Sequence, residues 1–103
     1  MNEANIKTPW YLYIIRCRLG TLYTGITNDL TRRFNDHVAG RGAKYLRGKG
    51  PLKMVFSVEV ENHSIAAKLE AKIKKCSRLQ KESIIAGKLS LPEITDTKTH
   101  PSA

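Results

Sequence analysis

From Trp10 to Ile15 the chain is continuously apolar or aromatic. So short a run, rich in aromatic and β-branched residues, predicts a buried strand. Leu19-Gly20-Thr21 offers a turn, and Leu22-Tyr23-Thr24 predicts the returning strand of a hairpin, ended by Gly25. The period then changes. Leu30, Phe34 and Val38 fall at i, i+4 and i+8, one apolar stripe of a helix. Asn28 is its expected N-cap, Asp29 suits its first turn, and Gly40 is its stop. Residues 40–51 hold four glycines and a proline among basic residues, which predicts a flexible loop. Met54, Phe56, Val58 and Val60 alternate with Val55, Ser57 and Glu59, a third strand. Ser64 is the expected cap of a second helix that buries Ala66, Leu69, Ile73 and Cys76. Ser77-x-x-Gln80 forms a capping-box pattern at the head of a third helix ending at Gly87.

Polar residues 1–9 predict a loose arm, and residues 88–103, with Pro92 and Pro101, a disordered tail. There is no internal repeat. The order β-β-α-β-α-α over residues 10–87 predicts an α+β fold, a three-stranded antiparallel sheet flanked by helices.

Length and charge narrow the function. A chain of 103 residues suits one domain with a modest core, so a substrate is expected across a surface groove rather than in a deep cavity. Eighteen Lys and Arg against nine Asp and Glu give a net charge of +9. Nucleic acid is the commonest partner of such an excess, because neutralising phosphates releases condensed counterions. No segment approaches the apolar length of a membrane span. Met1–Asn5 lack a signal-peptide pattern, so the expected location is the cytoplasm. Cys17 and Cys76 have neither CxxC spacing nor a neighbouring His and are expected as reduced thiols in or near the core.

The charge is clustered. Residues 32–53 hold seven basic side chains (Arg32, Arg33, Arg41, Lys44, Arg47, Lys49, Lys53) against Asp36 alone. Residues 68–81 hold six against Glu70 alone. Glycines in the first cluster let a backbone follow a phosphate chain closely. Arg33 and His37 are helix neighbours at the edge of the apolar stripe. They are either an ordinary surface pair or a phosphate-facing pair, the Arg able to fork onto an anion and the His to hold or donate a proton. Glu70 is either an i,i+4 partner of Lys74 or a ligand to a hard metal ion, which takes one or two carboxylates and completes its shell with water and phosphate. Tyr11, Tyr13 and Tyr23 are either packing residues with a wet hydroxyl or groups of the chemistry. A tyrosine, with a reference pKa of about 10, takes a proton from water only where nearby cations or a metal lower its pKa or the water's.

Together these positions resemble the GIY-YIG nuclease superfamily. Tyr11-Leu12-Tyr13 matches the first signature and Tyr23-Thr24-Gly25 the second. The run Tyr23 to Leu30, with Arg33 and His37 after it, resembles the YxGxT…R…H continuation, and Glu70 falls where the family keeps a glutamate. The resemblance covers about residues 10–85 and is nearest to short stand-alone bacterial members of the UPF0213 kind. It implies hydrolysis of a phosphodiester. Tyr13 would orient water or act as the base, Tyr23 would position groups, and Arg33 would stabilise the phosphate. His37 would assist, and Glu70 would hold a single Mg²⁺ or Mn²⁺. Gly25 and Thr27, together with Arg32, Arg41, Lys44, Arg47 and Lys49, are the expected nucleic-acid contacts. The chain departs from the pattern at Tyr11, where the first signature has glycine, and at Ile26, where the excision-repair branch has lysine.

Three functions follow in order. The first is a metal-dependent endonuclease on DNA, guided by structure or damage rather than sequence, with RNA still open. The second is a non-catalytic nucleic-acid-binding module of the same fold. The third is an adaptor with a basic face for an acidic protein.

Overall fold

The computed structural model describes residues 8–91. Seven elements follow in order: β1 (Trp10–Arg16), β2 (Leu22–Thr27), α1 (Leu30–Val38), a 3-10 turn (Lys44–Leu46), β3 (Lys53–Val60), α2 (His63–Lys74) and α3 (Arg78–Ile85). The class is α+β, as the patterning predicts. The expected arm 1–9 and tail 88–103 lie, except for residues 8–9 and 88–91, outside the described residues.

The sheet is antiparallel throughout, in the order β2-β1-β3. Its centre is the apolar run, because only a strand covered on both faces can bury consecutive residues. Leu12, Tyr13, Ile14 and Ile15 are all enclosed. Leu12 and Ile14 pack with Leu69 and Ile73 of α2 and Ile84 of α3. Tyr13, Ile15 and Cys17 pack with Leu46, against Leu30 and Phe34 of α1. A bulge breaks the β1–β3 register, so Ile14 faces Phe56 while Ile15 faces Met54. Val55 thereby joins Phe56 in the α2/α3 cluster and Met54 joins the α1 cluster. The simple alternation over Met54–Val60 misses this switch, since a bulge inserts one residue that no sequence period announces.

Local chemistry starts each helix, with two shifts from expectation. Asp29, not Asn28, caps α1 by accepting the Arg32 N–H at 3.1 Å. Asn62, not Ser64, caps α2 by accepting the Ile65 N–H at 2.9 Å. The Ser77/Gln80 capping box of α3 is present as expected. Arg16 forks onto Glu82 at 2.7 and 2.9 Å, which ties α3 to the end of the central strand.

Two differences concern the face that carries Tyr13. The inward stripe of α1 is Leu30–Phe34–His37, and Val38 stands 60% exposed. A step of three instead of four turns the helix so that an imidazole, not a valine, meets the sheet. The glycine-rich segment 40–51 is not a free loop either. Leu46 is enclosed in the core, and the Arg18 N–H donates to the Lys49 carbonyl at 3.0 Å.

Leu46→Ala should therefore lower stability by about 2–4 kcal/mol, as a core truncation does. Val38→Ala should change it by less than about 0.5 kcal/mol, as an exposed substitution does. Urea unfolding of the two variants checks the pair, and equal losses would return Val38 to the core.

Candidate active site

Tyr13 sits at the middle of β1, directly opposite Gly25 of β2. Its side chain is essentially inaccessible. The ring lies across the neighbouring strand because Gly25 has no side chain. A Cβ there would fall 2.5 Å from the Tyr13 hydroxyl oxygen. The hydroxyl is thus delivered toward β2, the outer strand at this end of the sheet.

α1 brings His37 down onto that hydroxyl, with Nε2 at 2.8 Å from the Tyr13 oxygen. The other ring nitrogen, Nδ1, accepts the Ala43 N–H at 3.2 Å. An acceptor nitrogen carries a lone pair, so the single proton of the neutral ring lies on Nε2. Nε2–H therefore donates to the phenol oxygen, and the phenol proton is directed elsewhere. The imidazole is seated against Gly42, where a Cβ would collide with Nδ1. Two glycines, one under each ring, make room for the pair.

Electrostatics keep both groups neutral. Burial lowers the His37 pKa from its ordinary value, and the Arg33 charge adds to this. Burial also pushes the Tyr13 phenol up to about 12. Arg33 opposes that rise through its hydrogen-bonding influence and its charge, while Tyr23 and Glu70 add to it. Arg33, Tyr23 and Glu70 are therefore all close enough to act on one hydroxyl. Arg33 is half-buried on α1, and Glu70 is half-buried on α2. α2 packs on the opposite face of the sheet from α1, so both faces contribute to the cluster.

Tyr23 closes the aromatic side. Its ring stands edge-on to His37 at 5.6 Å and tilted to Tyr13 at 6.4 Å. Tyr45, half exposed on the 3-10 turn, stacks on Tyr23 at 5.9 Å, and Lys49 Nζ lies 4.9 Å from the Tyr45 ring centre. Of the five residues proposed from sequence for chemistry, Tyr13, Tyr23 and His37 are in mutual contact, while Arg33 and Glu70 act on the Tyr13 hydroxyl through their charges. Gly42, Ala43 and Tyr45 were missed. Only Tyr45 carried a sequence signal, as an aromatic residue among loop cations.

The expected nucleic-acid contacts are more dispersed. Gly25 lies under Tyr13. Thr27 is buried, and its hydroxyl accepts the Asp29 N–H at 3.0 Å at the head of α1. Arg41 pairs with Asp36 at 3.3 Å. Arg32, Lys44 and Arg47 are exposed, and Lys49 lies over Tyr45.

A metal would find one carboxylate. No group of three metal-capable side chains occurs among the described residues. Glu70 pairs with Lys74, its i,i+4 neighbour, at 3.2 Å. This donor set fits a hard divalent ion that takes most of its ligands from water and substrate phosphate. It does not fit a zinc cage.

The GIY-YIG catalytic domain matches residues 9–83, most of the chain. The chain belongs to the GIY-YIG family. A UPF0213 protein of Vibrio cholerae is 48% identical over 94 residues, covering 90% of this chain and 93% of that protein. The solution NMR structure of the UPF0213 protein BH0048 from Bacillus halodurans is 36% identical, with a TM-score of 0.52. It covers 89% of this chain and 99% of that one. The NMR structure of EF2693 from E. faecalis is 32% identical, with a TM-score of 0.57, and covers 94% and 96%. The family is one of nucleases acting on nucleic acid, generally with a divalent metal. Among the described residues no helix is long and apolar enough to cross a membrane.

A depressed folded-state histidine pKa has a definite sign. The folded protein binds fewer protons at His37 than the unfolded chain, so this contribution is present above the unfolded value of about 6.5 and lost as pH falls. The melting temperature should fall on acidification from neutral pH, and less steeply in His37→Gln. Parallel slopes for the two proteins would refute the buried neutral imidazole.

Proposed function

We propose that this chain is a divalent-metal-dependent endonuclease that hydrolyses phosphodiester bonds in DNA, guided by structure or damage rather than sequence. The observation that carries this reading is the buried Tyr13–His37 hydrogen bond with Arg33 beside it. Each of these residues is individually compatible with packing, but a phenol held with its proton free and a guanidinium next to it suits attack on a phosphate.

In this reading Arg33 receives the non-bridging phosphate oxygens, where a planar fork stabilises the charge that grows during attack. Tyr13 orients the attacking water. A phenol held near 12 is protonated at neutral pH, so Tyr13 takes the water's proton only as the phenolate, which nearby positive charge favours. His37 positions Tyr13 through Nε2–H, and Tyr23 holds the imidazole edge. Glu70 would hold the single Mg²⁺ or Mn²⁺. When bound, the ion supplies Lewis-acid stabilisation of the phosphate and leaving oxygen. The water oxygen bonds to phosphorus and the bond to the leaving sugar oxygen breaks.

One observation favours the alternative, a binding module without turnover: Glu70 already has a partner in Lys74. Incubation with plasmid, branched DNA and RNA, under Mg²⁺ or Mn²⁺ and with a chelator control, decides between the two. Metal-dependent nicks support the enzyme, and intact but retarded DNA supports the binder.

Arg33→Lys keeps the charge and loses the fork, so cleavage should fall about 10²–10³-fold while DNA affinity changes little. Glu70→Ala should abolish metal-dependent cleavage, yet shift stability by only about 0.2–0.5 kcal/mol through loss of the Lys74 pair. The logarithm of the cleavage rate should climb with pH across the neutral to alkaline range, with a slope of about one and no plateau near neutrality. A folded Glu70→Ala protein that still cuts would remove the metal site.

A further inference from the structure

A second concavity adjoins the site and has no part in the chemistry above. It lies at β2, an outer strand in the order β2-β1-β3. Leu22, Tyr23 and Thr24 form its floor, and Tyr45, Lys74 and Lys81 its walls, around a volume of about 340 Å³. The walls come from opposite faces of the sheet. Tyr45 belongs to the turn stacked on Tyr23, while Lys74 and Lys81 belong to α2 and α3. No acidic residue lines the groove. Lys81 is half-buried and makes no ion pair among the described residues. Lys74 has Glu70 as its partner, one helical turn toward the reactive cluster.

Tyr23 is shared by both places. Its ring borders His37 and Tyr13 and also floors the groove. The groove is therefore one aromatic ring away from the Tyr13 hydroxyl. Two cations line the groove, Lys81 without an ion pair among the described residues and Lys74 shared with Glu70 outside the lining, and Leu22 and Tyr45 add apolar surface against which a sugar can pack. This combination of charge and apolar wall complements a nucleotide unit of a strand running along the sheet edge.

We propose that the groove holds the phosphodiester next to the one under attack, with Lys74 and Lys81 gripping a single phosphate between them. This rests on the nuclease reading of the Tyr13 cluster and extends it to substrate registration. Occupancy draws Lys74 from Glu70 toward the phosphate. All charges stay paired when Glu70 takes a cation in exchange, so binding at the two places is mutually favourable.

The test measures binding by fluorescence anisotropy of a labelled DNA duplex in a chelator, across a salt series. The proteins are wild type, Lys74→Met, Lys81→Met and the double variant, each checked for wild-type melting. One shared phosphate predicts that the slope of log K against log salt falls by about 0.9 in the double variant, not by twice that amount. Affinity at fixed salt should fall about tenfold, the loss expected for one charged hydrogen-bonded contact. Lys81→Glu should bind more weakly than Lys81→Met. A double variant with the wild-type slope and affinity overturns the proposal. A fall of about 1.8 in slope overturns it too, because the lysines would then hold separate phosphates. Cleavage is measured separately, by the plasmid assay. A chain that fails to cut but shows the predicted loss of slope keeps the groove and loses the nuclease reading. A chain that cuts with an unchanged slope does the reverse.

Discussion

Tyr13 and His37 are each enclosed in the protein, and each carries polar atoms that are costly to bury alone, by about 1–3 kcal/mol per unsatisfied group. At 2.8 Å the imidazole Nε2–H donates to the phenol oxygen, and the remaining imidazole nitrogen is satisfied by the Ala43 N–H. This chain of contacts joins the central strand, the first helix and the glycine-rich segment. It explains why α1 turns His37 inward and leaves Val38 in solvent. It also explains why the 40–51 segment is folded down, since Ala43 must reach Nδ1 while Leu46 enters the core beside Tyr13.

Two missing side chains make the contact possible. Tyr13 could not lie across β2 if position 25 carried a Cβ, and His37 could not sit as it does if position 42 carried one. The space the glycines leave is filled by rings that present atoms in a set order: backbone N–H, imidazole, phenol. A network like this holds its donors and acceptors in one arrangement and leaves the phenol proton as the one donor not used within it. The tautomer of His37 is thereby set by a backbone amide some distance from the hydroxyl it serves.

The sheet edge gathers the remaining groups. A three-stranded sheet with the apolar strand at its centre leaves β2 on the outside. Helices on both faces can therefore approach the same edge, α1 with Arg33 and α2 with Glu70. Their opposite charges act on one phenol, Arg33 favouring its ionised form and Glu70 opposing it. Basic side chains of the chain's +9 excess, Arg32, Lys44 and Arg47 among them, are exposed, while Tyr13 and His37 are enclosed. That separation suits attraction of a polyanion by the surface while the chemistry is confined to a few enclosed groups.

Local patterning determined much of this protein. The apolar run of β1, the hairpin, the three helices and the capping box of α3 follow from short-range periodicity and capping, which act within a few residues. The five candidate residues were legible because their types and spacing resemble a family signature. Three kinds of feature were decided only by the tertiary structure. The inward stripe of α1 was set by the hydrogen bond that Tyr13 offers from another element. The bulge at Val55 was set by pairing with β1. The roles of Gly42 and Ala43 were set by where the imidazole comes to rest. A helix stripe or a turn glycine is written in nearest neighbours along the chain. A buried polar contact depends on partners distant in sequence, and only the packed fold brings them together.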